Sequence, residues 1–358
     1  MQDRVKEFFL SLIKLGIGNA EVIPVPKQID WNALEDIAAK QGLSAVLVDG
    51  IEKLPEDQRP PKLMLLQWIG ENLQGFEYRY KLYRQAIAEL ASFYNRHGYK
   101  MMLLKGYACS MDWPKPEHRP CGDIDIWQFG LQKEADAILA KEKGVEIDNS
   151  HHHHTIFYWH DFMVENHYDF ISIHHHKSHL AYEKILKELG KDDSYCIELY
   201  GERVYLPSPN LHALFLLKHA MLHFTGTELT FRQLLDWAFF VKQHGKDVDW
   251  KMVLGVLEEH GMMPMFNIMN AICVENLGFE SSLFPSVQFN PVVKERVLQE
   301  IFASVYQDDS SESFFKRQVN RYRRWKDNGW KHDLCYKESR WSAFWSNAWG
   351  HLIKPSSI

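Results

Sequence analysis

Several features that would assign this chain to a common class are missing from it. Its five cysteines are odd in number and form no Cys-x-x-Cys pair. No apolar run approaches the roughly 20 residues that a membrane-spanning helix needs, and the N-terminus has early acidic residues and no signal-peptide cleavage site. The net charge of −6 does not indicate a nucleic-acid-binding surface. These absences predict a cytoplasmic protein with reduced thiols; the oligomeric state stays open.

The chain has 358 residues, of which 46% are hydrophobic, and this is enough for a large buried core. Apolar periodicity predicts an N-terminal helical segment over residues 1–99 and a C-terminal helical domain over residues 207–358. Between them, residues 100–206 mix strands with helices. No internal repeat or low-complexity linker separates the three parts. The pattern therefore predicts an α/β (α+β) protein with a central sheet core between helical segments.

Local signals set the expected helices and strands. The expected strands are 100–104, the run around 124–126, 152–159, 162–167, 196–199 and 203–206, with 168–176 either extending one of them or crossing to another. The expected helices are 62–97, 131–143, 181–189, 211–224, 231–243, 250–260, 264–277, 292–306, 312–326 and 338–352, beside one near the N-terminus and one that Asp30 caps and Gly42 ends.

Two aspartates carry the first chemical signal. In Gly122-Asp123-Ile124-Asp125, the strand period of two places both carboxylates on one face and the isoleucine on the other. Like charges so close together are costly unless a cation lies between them. A hard divalent ion with oxygen ligands, Mg²⁺ or Mn²⁺, is therefore the expected occupant. A surface strand with solvated acids is the structural alternative.

A third acid follows 40 residues after Asp125. Two-metal transfer chemistry uses about three carboxylates, and Glu165 in Val-Glu-Asn-His supplies one on a second predicted strand. His167 shares its face by the same two-residue rule. It could orient a carboxylate or accept a proton from an attacking hydroxyl.

The motifs LLKG, RPCGDIDIW, VENHYDF, PSPNLHALFLLKHAMLHF and FRQLLDWAFFV resemble the uncharacterised bacterial nucleotidyltransferase family of the polymerase-β superfamily. The resemblance implies a minimal nucleotidyltransferase core, with a mixed sheet flanked by helices and catalytic acids on adjacent strands. It implies that Asp123 and Asp125 are the paired metal ligands and that Glu165 is the third acid. It also implies a nucleoside triphosphate (NTP) as substrate.

The chain departs from the superfamily pattern at the phosphate-binding turn. The usual Gly-Ser or Gly-Gly is replaced here by Lys105-Gly106-Tyr107. The Gly106 backbone and the following helix start can still attract phosphate, while Lys105 and Arg119 add positive charge. Gly122 adjoins the acids. These four residues are the predicted nucleotide-binding group, with ordinary surface charge as the alternative for Lys105 and Arg119.

The predicted reaction is metal-dependent transfer of a nucleoside monophosphate from an NTP to an acceptor hydroxyl. The acceptor stays open among a small molecule, a protein side chain and an RNA end. One alternative is a catalytically inactive nucleotidyltransferase-fold module that binds a nucleotide or a partner. The basic and aromatic stretch 316–331 is a further candidate for docking an acidic acceptor.

The other alternative is a zinc-dependent hydrolase, because ten of the 19 histidines lie between His151 and His179. Successive residues of a strand point to opposite faces, so only alternate histidines of such a run can share an ion. His219 and His223, one helical turn apart, form a second candidate pair. They lack the glutamate of a zinc-protease signature, since residue 220 is alanine.

Overall fold

The computed structural model describes residues 2–173, 176–226, 228–285, 288–303, 326–343 and 345. Its helices before the sheet are α1 (Gln2–Gly16), α2 (Trp31–Gln41), α3 (Ser44–Glu52), α4 (Lys62–Asn72) and α5 (Arg79–Arg96). Helix α2 begins and ends as the sequence predicts. The Asp30 side chain accepts a hydrogen bond from the Ala33 N–H at 3.0 Å, and Gly42 adopts the left-handed conformation that ends many helices. Helix α3 was not predicted.

The single long helix predicted over residues 62–97 is interrupted. A π-helical stretch, Leu73–Tyr78, separates α4 from α5. Each π turn inserts a residue into the helical repeat, so the two helices present different faces to the rest of the chain. Apolar spacing alone does not reveal such a break, because both halves keep the same local period.

The described part of the chain holds one mixed sheet of six strands in the order β3-β4-β2-β1-β6-β5. The strands are β1 (Met102–Leu103), β2 (Asp123–Trp127), β3 (His154–Trp159), β4 (Phe162–His167), β5 (Cys196–Leu199) and β6 (Glu202–Tyr205). Strand β2 runs parallel to β4 and antiparallel to β1, while β3 and β4 form a hairpin. The mixed sheet is confirmed. Residues 168–173 form bends and a turn, not the strand that was one of two predictions there.

Each face of this sheet belongs to a different hydrophobic cluster. Leu103, Ile126 and Val164 pack with residues of α5 and with α7 (Gln132–Lys143). Met102 and Trp127 point the other way and pack with the N-terminal and C-terminal helices. The acidic residues of β2 lie on this second face, because they alternate with the isoleucines that the first cluster buries.

The remaining helices up to Phe302 follow the predicted order with bounds shifted by a few residues, whereas the last one, Gly329–Cys335, was not predicted. These helices are α6 (Tyr107–Ser110), α8 (Lys177–Leu189), α9 (Pro209–Gly226), α10 (Phe231–His244), α11 (Trp250–Glu259), α12 (Met263–Glu275), α13 (Pro291–Phe302) and α14 (Gly329–Cys335). The predicted helix 312–326 lies almost wholly outside the described residues, as does most of the basic stretch 316–331, and the predicted helix 338–352 lies partly outside them. No helix among the described residues combines the length and apolar character needed to span a bilayer.

Lys218 on α9 is an unusual occupant of the core. Its side chain is 2% exposed, and its Nζ lies 4.3 Å from the ring centre of Tyr336. Burial lowers its pKa to about 7, against about 10.4 for an unfolded chain. The unfolded state therefore binds more protons between these two values. Burial of Lys218 thus lowers the free energy of unfolding most below about pH 7. This loss becomes smaller as the pH rises towards about 10.4.

We expect Lys218→Met to increase the free energy of unfolding at neutral pH by about 2–3 kcal/mol, because the buried ammonium no longer has to be desolvated. The gain should shrink as the pH is raised through 9. Urea unfolding followed by circular dichroism measures both quantities. Lys251→Met, at an exposed position of α11, is the matched control and should change little. A destabilised Lys218→Met protein would show that the contact with the aromatic ring outweighs the cost of burial.

Candidate active site

Strand register brings the predicted acids together. In the parallel pair of β2 and β4, Asp125 lies opposite Glu165 and Trp127 lies opposite His167. Asp123 is two residues before Asp125 and therefore shares its face. Asp125 is 1% exposed, whereas Asp123 and Glu165 are partly exposed. The three carboxylates thus lie on one face of the sheet, and Asp125 is the most deeply buried of them.

Two basic side chains meet the central carboxylate. Lys105 Nζ lies 2.7 Å from Asp125 Oδ1. His167 Nε2 lies 3.1 Å from the same oxygen and 3.5 Å from Glu165 Oε2. Asp125, Glu165 and His167 each offer one potential ligand atom, and these three atoms lie within 4.8 Å of one another. The site is therefore a compact charged cluster in a largely buried setting.

The charges in this cluster shift each other's protonation. Burial alone would raise the pKa of Asp125, but the Lys105 ammonium and the hydrogen bond from His167 bring it well below its usual range. Burial raises the pKa of Asp123, and the neighbouring Asp125 charge adds to that effect. Burial opposes the charged form of His167, yet hydrogen bonds to Asp125 and Glu165 raise its pKa to about 9. Asp125 is therefore a carboxylate across the physiological pH range.

One oxygen of this carboxylate has no partner. Asp125 Oδ2 is buried and receives no hydrogen bond from the described residues. An unpaired buried carboxylate oxygen is costly, and the neighbouring carboxylates offer further oxygen atoms of the kind that Mg²⁺ and Mn²⁺ prefer. The donor set at Asp125 and Glu165 therefore fits a hard divalent cation, and Asp123 lies on the same face of the sheet, two residues before Asp125.

Lys105 reaches the acids from the turn after β1. The Leu104 N–H donates to the Asp125 carbonyl at 3.0 Å, which extends the pairing of β1 with β2 up to the turn. Lys105 Nζ also lies 3.3 Å from His219 Nε2 on α9. The side chain is 16% exposed, and its pKa is raised because the charges of the three nearby acids outweigh the effect of burial. The alternative of ordinary surface charge is thus wrong for Lys105.

Gly106 makes this turn possible. Its φ of 56° and ψ of −104° lie outside the regions open to other residues. A Cβ here would stand 2.4 Å from the Tyr83 hydroxyl, which donates to the Asp123 carbonyl at 2.7 Å. Gly106 therefore leaves room for the Tyr83 hydroxyl, and through this hydroxyl α5 binds the backbone of β2 at Asp123. No local pattern indicates this role of Tyr83, since its partner lies 40 residues away in the chain.

We expect Gly106→Ala to lower the free energy of unfolding by about 2 kcal/mol, because it combines backbone strain with a clash against Tyr83. Removing the hydroxyl in Tyr83→Phe should reduce that cost, so the double variant should be less unstable than the sum of the two single variants. Thermal and urea unfolding of all four proteins measures this coupling. Gly75→Ala, where an added Cβ meets no atom within 4 Å, is the control. Strict additivity would show that Tyr83 does not constrain the turn.

Arg119 lies in a different environment from the one predicted. Its guanidinium is buried and binds Asp236 of α10 in a bidentate ion pair of 2.7 and 2.8 Å. Asp236 also accepts from Trp113 Nε1 at 2.9 Å. Asp236 therefore pairs with a residue that lies 117 positions before it in the chain. Gly122 is exposed, and its backbone is open to a ligand because an added Cβ would meet no atom within 4 Å.

The pair His219 and His223 does not form a metal site with a third ligand among the described residues. Their Nε2 atoms lie 3.2 Å apart, and the Lys105 ammonium lies beside His219. Burial and the Lys105 charge keep the pKa of His219 well below its usual value. The neutral His219 imidazole therefore accepts a hydrogen bond from the Lys105 ammonium.

The comparisons with known proteins bear on this arrangement. A family model described as "Uncharacterised nucleotidyltransferase" matches residues 27–278, well over half of the chain. The chain belongs to this nucleotidyltransferase family. No curated protein and no solved structure matches it. The matched range contains all of β1 to β6 and each of the predicted site residues, so the acid cluster lies inside the part that defines this nucleotidyltransferase. Family membership supports nucleotidyl transfer in general as its chemistry.

Proposed function

We propose that this nucleotidyltransferase transfers a nucleoside monophosphate from an NTP to an acceptor hydroxyl, with Mg²⁺ or Mn²⁺, and releases pyrophosphate. The observation that carries the proposal is the register of Asp125 opposite Glu165, with Asp125 Oδ2 buried and unpartnered among the described residues. Together with the family match, it favours a polymerase-β-like centre.

Each acid then has a distinct task. Asp123 and Asp125 hold the ions from one strand, and Glu165 completes the set from the next strand. Bound divalent ions supply the positive charge that aligns the attacking hydroxyl and the leaving pyrophosphate oxygen. His167 keeps the two inner carboxylates in place, since its Nε2 contacts Asp125 and approaches Glu165. Its near-complete burial makes it a positioning residue.

The phosphate side of the site is formed by the turn after β1. In the absence of ligand, Lys105 forms an ion pair with Asp125. When an NTP binds, the Lys105 ammonium would instead donate hydrogen bonds to the phosphate oxygens. The exposed Gly122 backbone lies next to Asp123, and Gly106 keeps the turn narrow. We assign Arg119 an indirect role: its pair with Asp236 fixes the segment that leads into β2.

A binding module without turnover is the second candidate. The Lys105 ammonium at 2.7 Å from Asp125 Oδ1 favours it, because that cation already compensates the central carboxylate. Nucleotide would then bind with little need for a divalent ion. This candidate differs from the enzyme in one measurable respect, which is the absence of pyrophosphate release.

The test is a transfer assay with the full chain. Each of the common NTPs, labelled at the α-phosphate, is incubated with Mg²⁺ or Mn²⁺ and a fractionated cell extract as acceptor source. We expect label in a non-nucleotide product together with stoichiometric pyrophosphate, and both should depend on the divalent ion. Glu165→Gln should lose both signals. Nucleotide binding without pyrophosphate release in any fraction would favour the module.

A further inference from the structure

A second ligand cluster adjoins the acids and includes two histidines, His153 and His154, that the proposed reaction leaves without a task. His153, His154 and His167 each offer a ring nitrogen, and these atoms lie within 4.8 Å of one another. His154 is 6% exposed, and its Nδ1 has no hydrogen-bond partner among the described residues. His153 is partly exposed and gives a route from solvent.

Local structure explains why two successive histidines converge. The rule that neighbours point to opposite faces holds only inside a strand, and β3 begins at His154. His153 stands in the bend before it. His154 lies directly opposite His167 in the antiparallel pair of β3 and β4, so these two share a face. The ring centres of His153 and His154 are 4.3 Å apart. The expectation that only alternate histidines can share an ion applies inside a strand, so it does not cover His153.

We propose that His153, His154 and His167 form a binding site for a borderline transition-metal ion, Zn²⁺ in the first place. This site adjoins the acid cluster, since His154 Nδ1 lies 4.0 Å from Glu165 Oε2 and His167 belongs to both groups. Three imidazoles match the ligand preference of Zn²⁺ and not that of Mg²⁺. Ligand atoms around one tetrahedral zinc are about 3.4 Å apart, so small rotations close the cluster. Three protein ligands leave one coordination position for water or another ligand.

His167 links this site to the acids. Its Nε2 is hydrogen-bonded to Asp125 Oδ1 at 3.1 Å, and its Nδ1 lies 3.3 Å from the Asp169 carbonyl. Coordination through Nδ1 would release the Nδ1 proton to solvent and replace the contact with the Asp169 carbonyl, and it would leave the Nε2–H on the carboxylate. Metal-binding histidines commonly donate their second ring N–H to a carboxylate in this way. Zinc at the histidine site therefore fixes the orientation of the same imidazole that positions Asp125.

The test measures metal binding alone, so it does not depend on whether nucleotide transfer occurs. The untagged full chain is dialysed against chelator and titrated with Zn²⁺ in the presence of excess Mg²⁺. Bound metal is determined by elemental analysis, and Co²⁺ absorption reports the geometry. We expect one equivalent of Zn²⁺ that Mg²⁺ does not displace, with Co²⁺ bands of a tetrahedral site. His154→Ala should weaken binding by about 10- to 100-fold.

Matched variants decide the location. His152→Ala removes a neighbouring histidine outside the cluster and should bind Zn²⁺ like the wild type. His153→Ala removes a ligand at a partly exposed position, so it tests the proposal even if His154→Ala folds poorly. Equal weakening by His152→Ala would overturn the proposal, because it would show that the histidine run binds metal without a defined site. Loss of zinc in Glu165→Gln with zinc kept in His154→Ala would also overturn it and place the ion among the acids.

Discussion

Asp125→Asn is expected to reduce nucleotidyl transfer by about a thousandfold or more, which corresponds to roughly 4 kcal/mol or more of lost transition-state stabilisation. Asp125 is the deepest acid of the cluster, and its carboxylate meets Lys105 and His167 while keeping one oxygen unpartnered among the described residues. An amide keeps the shape but removes the charge that would hold a divalent ion. Initial rates of pyrophosphate release at saturating NTP measure the loss.

The control for this variant is Asp161→Asn. Asp161 is exposed in the turn between β3 and β4, so the same chemical change is made in the same sheet but away from the site. It should keep wild-type rates. Calorimetric titration with Mn²⁺ shows whether the lost activity comes from lost metal binding, since Asp125→Asn should also weaken Mn²⁺ binding. An Asp125→Asn protein that transfers label at the wild-type rate would eliminate the proposed centre.

Arg119→Met is expected to lower the free energy of unfolding by about 3–5 kcal/mol, because it leaves Asp236 as a buried charge without its partner. Arg119 Nε lies 2.7 Å from Asp236 Oδ1, and both side chains are almost fully buried. Asp236→Asn should cost less, since an amide can still accept from Trp113 Nε1. Urea unfolding followed by circular dichroism gives the values.

The double variant Arg119→Met/Asp236→Asn tests whether the two residues act as one unit. Its destabilisation should fall well below the sum of the single variants, because no uncompensated charge then remains. Lys246→Met on the surface provides the baseline for losing a cation. Should Arg119→Met fold with nearly wild-type stability and fail instead to bind NTP, Arg119 would contact nucleotide as the sequence first suggested.

The faces of the acids were predictable because the strand period of two is local. Each of Asp123, Asp125 and Glu165 has a buried isoleucine or valine beside it in its strand, and burial of that neighbour fixes where the carboxylate points. The predicted 40-residue gap fits because β2 and β4 are parallel and α7 occupies the interval. Mixed-sheet architecture followed from the same local signals together with the family resemblance.

The partners of the basic residues were not predictable. Arg119 and Asp236 are 117 residues apart in the chain, and Lys105 and His219 are 114 apart. No local period links such positions, since only the packing of α9 and α10 against the sheet brings them together. The convergence of His153 with His154 was missed for a different reason: it depends on where β3 begins, and strand ends are poorly marked in the sequence.

The most direct measurement is anomalous diffraction at the manganese edge from crystals of the full chain grown with Mn²⁺ and a non-hydrolysable NTP. The structure predicts a manganese peak within coordination distance of Asp125 Oδ2 and of a Glu165 or Asp123 oxygen, with the triphosphate bound beside Gly106 and Lys105. A triphosphate bound elsewhere, with the Lys105 ammonium still on Asp125 and no manganese at the acids, would contradict the account.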